Sequence, residues 1–179
     1  MEIKKINLPI TKDIASTLKA GDYVYLTGII YSARDAAHKR MTEALDRGEE
    51  LPIDIKDQTI YYLGPSPARP GQVIGSAGPT TSGRMDKYTP RLLDLGMTAM
   101  IGKGRRTDAV KASIIKNNAV YLAAVGGAGA LLSKCIKEAD VVAYDDLGAE
   151  AIFRLKVEDF PAVVVMDDKG NDFYIQENS

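Results

Sequence analysis

Residues 97–125, MTAMIGKGRRTDAVKASIIKNNAVYLAAV, decide how the chain is read. The apolar run "MTAMIG" reads as a strand, Thr107 stands at the N-cap of a helix "DAVKASIIKNN", and "AVYLAAV" reads as a second strand. Upstream, "DYVYLTGIIYS" (22–32) is rich in β-branched and aromatic residues and predicts a strand ending near Gly28. Ser32 then precedes a helix through about Leu45, with Asp35 at the capping-box position and Gly48 closing it. "QTIYYLG" begins as a strand and passes into a loop dense in Gly, Pro and Ser. "TPRLLDLG" carries an N-cap threonine, a proline at the first helical position and a terminal glycine, the marks of a short helix. Downstream, "GAGALLSKCIKEAD" predicts a glycine-started helix and "VVAYDDLG" a strand. The tail "AIFRLKVEDFPAVVVMDDKGNDFYIQ" reads as strands, the last two joined by a turn at 168–171. Strand–helix alternation followed by a β-rich tail predicts a layered α/β domain with a mixed sheet.

At 179 residues the chain has the length of one well-buried domain, 1–179. It shows no repeat, low-complexity segment or linker, and "GPSPARPG" (64–71) is the only candidate hinge. Basic and acidic residues balance, 23 against 24, which argues against a nucleic-acid partner, whose phosphates require a basic excess. Apolar runs are strand-sized, and "MEIKKINLPI" lacks the apolar centre of a signal peptide, so no membrane span and a cytoplasmic location are expected. A single cysteine, Cys135, can hold neither zinc nor an iron–sulfur cluster by itself, and its helical surroundings read as those of a buried structural thiol. The lone His38, also in a helical pattern, reads as a surface or helix-packing residue.

Three cationic groups follow predicted strands. Arg34 stands at the first turn of the helix after Ser32, where free N–H groups favour an anion; with Asp35 beside it, a solvated arginine is the simpler reading. Arg84 ends "GPTTSGR" (78–84), in which three hydroxyls lie between two glycines; the plain alternative is a polar turn. Lys103 is bracketed by glycines in "IGKGRR", a spacing that fits neither a phosphate loop nor a dinucleotide fingerprint. The glycines 126, 127 and 129 of "VGGAGAL" miss the dinucleotide spacing too and suit helix packing or close backbone approach. If the strands are parallel neighbours, the three cations converge at their carboxyl ends, a pocket for a small dicarboxylate. With no strong base or metal site of its own, the chain looks like half of an active site.

"GPTTSGRMDKYTPRLL", "GKG" and "GAEAIFRLKVEDFPAVVVMDDKGNDFY" closely resemble the β component of iron–sulfur hydro-lyases, class I fumarase and L-tartrate dehydratase, and the likeness extends over nearly the whole chain. The resemblance implies a swivelling β/β/α domain, fused behind an α part or made as a separate β subunit. The single cysteine, the length and the starting methionine fit the separate form. It implies a [4Fe–4S] cluster ligated by a partner α subunit, an α2β2 assembly, and reversible hydration of fumarate to L-malate. The alternatives are dehydration of tartrate to oxaloacetate and, in another class, a non-catalytic dicarboxylate-binding module. By the same resemblance Arg34, Arg84 and Lys103 bind the substrate carboxylates and Thr80 moves the proton at carbon. Thr81 adds a hydrogen bond or shapes the loop. Ser82 stands where relatives often have alanine. Glu150 is a candidate for orienting a cation, with a strand-edge carboxylate as the simpler reading.

Overall fold

The computed structural model describes residues 2–125 and 129–177. Five strands, β1 (Ile3–Asn7), β2 (Tyr23–Ser32), β3 (Thr59–Tyr61), β4 (Ala99–Gly102) and β5 (Val120–Ala124), pair in parallel in that order. The long β7 (Ile152–Met166) pairs antiparallel with β5 and with β6 (Ile136–Ala143) along one side, and with β2 along the other. That last pairing joins β2, β3, β4, β5 and β7 into a ring, so the mixed seven-stranded sheet is partly closed as a barrel.

Burial on both faces explains the near-continuous apolar runs of β3 and β4. Alternate residues of each strand enter two cores. Tyr61, Ile101 and Leu122 point into the barrel with Leu26, Ile30 and Phe160. Tyr62, Met100 and Tyr121 face the outer layer, formed by α2 (Asp35–Asp46), α3 (Thr89–Asp94) and α4 (Asp108–Lys116). The short α1 (Lys12–Thr17) follows β1, α5 (Gly129–Ser133) precedes β6, and α6 (Phe173–Glu177) ends the described chain.

The strand–helix–strand reading of 97–125 holds, including the Thr107 cap, whose side chain accepts from Val110 N. Elsewhere the structure corrects several expectations. The strand at 22–32 continues past Gly28 to Ser32, because a register shift between Leu26 and Gly28 lets pairing with β7 resume. Ser32 therefore does not cap α2. Arg34 occupies that N-cap without a side-chain bond, while Gly48, at φ +74°, closes the helix end as expected. The cap of α3 is Tyr88; the Thr89 hydroxyl donates instead to Met85 O at 2.9 Å. The last five residues of the helix read over 127–140 belong to strand β6, whose backbone groups are taken up by β7. Cys135 lies in the joint between α5 and β6, half-buried, with its thiol pushed up by burial. After the 168–171 turn the chain makes a single bridge at Asp172 and then α6, where a strand was expected. No helix among the described residues is long and apolar enough to cross a membrane.

Candidate active site

The carboxyl ends of β2, β3 and β4 lie side by side, and each carries part of the site. Ala33 N donates to Tyr61 O at 3.1 Å, which sets Arg34 beside the end of β3. Past β3, Thr80 N donates to Tyr62 O at 2.8 Å and Ser82 N to Lys103 O at 2.9 Å, while Thr81 and Lys103 form a parallel bridge. The segment 80–82 is thus wedged between the extensions of β3 and β4. Tyr61 OH donates to Ala77 O at 2.6 Å and ties the preceding loop to the barrel mouth. A cleft of about 550 Å³ opens here, lined by Gly64, Ser66, Ser76, Gly78, Pro79, Lys103, Ala124 and Leu132.

Three glycines are explained by this crowding. A β-carbon on Gly64 would stand 2.8 Å from Cδ and Nη1 of Arg34, so the arginine lies directly over it at the cleft wall. One on Gly102 would overlap the Ser82 hydroxyl and sit 2.8 Å from the Tyr62 ring, while Gly104 has φ +87°, where a side chain is strained. The two glycines flanking Lys103 therefore serve different needs, packing on one side and backbone shape on the other. Gly129 likewise has no room, standing against Ala77 and Gly78; Gly126 and Gly127 lie outside the described residues.

None of the ion pairs among the described residues includes Arg34, Arg84 or Lys103. Arg34 Nε is buried without a hydrogen-bond partner, and Asp35 makes no pair with it; Asp35 Oδ1 is itself buried and unpartnered. A buried N–H left unsatisfied costs about 1–3 kcal/mol, so this edge of Arg34 is suited to receive an acceptor. Thr80, Thr81, Lys103 and Arg34 are brought onto neighbouring strand ends. Arg84 stands farther along, exposed on a 3₁₀ turn (Ser82–Met85), with no described contact to the other two cations. Glu150 is no strand-edge carboxylate and orients no cation. It ends a 3₁₀ segment, and its Oε1 accepts from Ala36 N at 3.3 Å in the first turn of α2.

Beneath the loop lies a network that sequence reasoning missed. Asp86 accepts from Arg106 Nε at 2.6 Å and from Thr107 N at 2.7 Å. Arg106, its side chain wholly buried, also donates to Tyr62 OH and Thr89 Oγ1, both at 3.0 Å, and its guanidinium lies 5.2 Å and 4.7 Å from the Tyr62 and Tyr121 ring centres. Burial opposes its charge, but Tyr62 and Asp86 outweigh it and hold the group cationic. Ser82 Oγ bonds Tyr121 OH at 2.7 Å, and that hydroxyl donates to Gly104 O at 2.8 Å, linking the two loops. His38 is a helix-packing residue, fully buried near Tyr62 and Tyr88, with Nδ1 2.7 Å from Arg34 O.

No group of three or more His, Cys, Asp or Glu among the described residues is arranged to hold a metal ion, and with one cysteine the chain does not fit an iron–sulfur cluster.

Residues 1–177 match the family described as Fumarase C-terminus. The chain is 47% identical over 153 residues to the anaerobic class I fumarate hydratase of Escherichia coli, covering 84% of this chain and 28% of that protein. It is 42% identical over 161 residues to fumarate hydratase 2 of Leishmania major, again 28% of that protein's length. Over 175 residues it is 40% identical to the Methanocaldococcus jannaschii protein named "Putative L(+)-tartrate dehydratase subunit beta", covering 94% of this chain and 90% of that one. The chain thus spans under a third of the fumarate hydratases and nearly all of the tartrate dehydratase subunit. A match along its whole described length, and these identities, make the chain a member of the Fumarase C-terminus family.

Proposed function

We propose that residues 1–179 form the β-type catalytic domain of an iron–sulfur hydro-lyase, a class I fumarate hydratase that interconverts fumarate and L-malate in the cytoplasm. The observation that carries this reading is Lys103 in the cleft wall beside Arg34, packed over Gly64, at the ends of parallel strands, with no ion pair to either among the described residues. Relatives named as fumarate hydratases at 46–47% identity support the reaction class. Arg34 and Arg84 offer guanidinium forks to the two carboxylates and Lys103 a point charge. A dicarboxylate so held has its reacting carbons fixed against Thr80, and binding becomes orientation.

Toward fumarate, the deprotonated Thr80 oxygen takes the proton from one carbon while the C–O bond of its neighbour breaks, hydroxide leaves and the C=C bond forms; toward malate, hydroxide adds to one carbon and the Thr80 hydroxyl returns the proton to the other. A threonine hydroxyl is a weak base, so Thr80 depends on the surrounding positive charge and on a group from the partner. Thr81, bridged to Lys103, keeps the two loops in register. The [4Fe–4S] cluster belongs to an α subunit, where it supplies Lewis-acid chemistry, and an α2β2 complex is the assembly we infer.

The test is Thr80→Val in the complex with a cluster-bearing α subunit. The expected result is a loss of at least about 10²-fold in kcat with dicarboxylate binding retained. Wild-type turnover in that variant would remove Thr80 from the chemistry. Tight binding of malate by this chain without any partner would favour a plain binding module.

A further inference from the structure

The geometry points to Arg106 as the positioning residue of the site, a buried cation that sets the spacing between the loop bearing Thr80 and Arg84 and the loop bearing Lys103. Its side chain is sealed from solvent and lies outside the cleft lining, yet the loop bearing Thr80 and the loop bearing Lys103 are both fastened to residues it touches. Through Nε it fixes Asp86, two residues past Arg84 and just after the 3₁₀ turn. Through Nη2 it fixes the Tyr62 hydroxyl, and the Tyr62 carbonyl receives Thr80 N. Its face lies against the Tyr121 ring, whose hydroxyl joins Ser82 to Gly104 beside Lys103. The Thr89 hydroxyl completes the fork at the start of α3.

Charge does not explain this placement. With both Asp86 oxygens engaged, the buried pair is close to neutral and adds little field at the cleft. Its distinctive property is the planar fork, whose separate Nε and Nη2 reach Asp86 on one side and Tyr62 and Thr89 on the other, a spread that lysine's single nitrogen lacks. A buried pair so fully satisfied gains rigidity and specificity of arrangement more than stability. Displacing a catalytic loop by about 1 Å can cost about 10²-fold in rate, so the fork has a kinetic consequence.

The inference rests on the hydro-lyase reading for its kinetic arm alone. In the complex with the α subunit, Arg106→Lys should raise KM about tenfold and lower kcat per intact cluster about tenfold, together about 10² in kcat/KM. A merely structural role would reduce the fraction of intact complex and leave KM unchanged, and that result overturns the inference. The second arm is amide hydrogen exchange on the full chain. Thr80 and Ser82 N–H should exchange at least about tenfold faster in Arg106→Lys while β2 and β7 keep wild-type rates. Unchanged exchange at both amides overturns it whatever the substrate proves to be. Should Arg106→Lys fail to fold, Tyr62→Phe, which removes only one hydroxyl, must still speed exchange at Thr80; wild-type exchange there counts against the inference. If the wild-type complex hydrates no dicarboxylate, the proposed function fails and the exchange arm alone decides.

Discussion

Arg84 and His38 are opposite cases of a single side chain's worth, one exposed and unpaired, the other sealed in the core. Arg84→Ala removes no described hydrogen bond, so its melting temperature should stay within about 1 °C of wild type, as for other exposed substitutions. Loss of a charge-assisted fork on a carboxylate should lower kcat/KM about 10²-fold in the assembled enzyme. Steady-state kinetics beside a thermal melt measures both. His38 is held by burial at a pKa of about 4, below its ordinary 6.5. Its ring is neutral in the fold, so between pH 6.5 and 4 the unfolded chain binds the extra proton and stability falls as pH falls. At 1.36 kcal/mol per unit the loss approaches about 3 kcal/mol by pH 4 and is absent above 6.5. Asp167 and Asp168, depressed by the hydrogen bonds they accept, add their losses only below the ordinary carboxylate range. Urea denaturation at pH 7 and pH 4.5 should show the difference, and His38→Gln should flatten it. The places of Arg34 and Lys103, just past β2 and β4, were legible in sequence because each directly follows a strand pattern. Arg106 was not, since nothing in "GKGRR" tells which of two adjacent arginines turns inward.

Elements reveal a second kind of legibility. The unit β4–α4–β5 could be read because cap, period and apolar runs agreed with the tertiary structure. The first part of β6, 136–140, could not be read, because the apolar positions 131, 132 and 136 keep helical spacing and only β7 supplies the pairing that makes a strand; 141–143 fall in the strand read at "VVAYDDLG", which gives way to a 3₁₀ segment at 145–150. The length of β7 was hidden by Pro161, which sits opposite Tyr25 at a position where the ladder tolerates the missing N–H. Two glycine substitutions test how the elements fix the site. In Gly64→Ala the new methyl crowds only the Arg34 side chain, with Ala149 O at an ordinary 3.6 Å, so the fold should keep its stability while KM rises as the arginine is displaced. In Gly102→Ala it meets Ser82 and Tyr62 at once, and the strained core should cost about 1–3 kcal/mol in denaturant unfolding as well as activity. Equal stability loss in both would show that Arg34 is not free to yield at Gly64.

At the scale of the whole molecule, a partly closed barrel holds a cleft at one mouth, with Lys103 in its wall and the buried Arg34 Nε without a partner among the described residues. Among its relatives a matching sequence stands as 28% of a longer fumarate hydratase or as nearly all of a protein named a tartrate dehydratase β subunit, so the same domain occurs both fused and separate. Neither arrangement could be read from composition; it was the shortage of metal ligands beside a surplus of unpaired cations that pointed to a missing half. Anaerobic reconstitution of this chain with a cluster-bearing α subunit, followed by the ultraviolet absorbance of fumarate, tests this most directly. The account predicts reversible fumarate–malate turnover that needs both chains and is lost when either is omitted. An intact cluster-bearing complex that turns over neither fumarate, malate nor tartrate would contradict it.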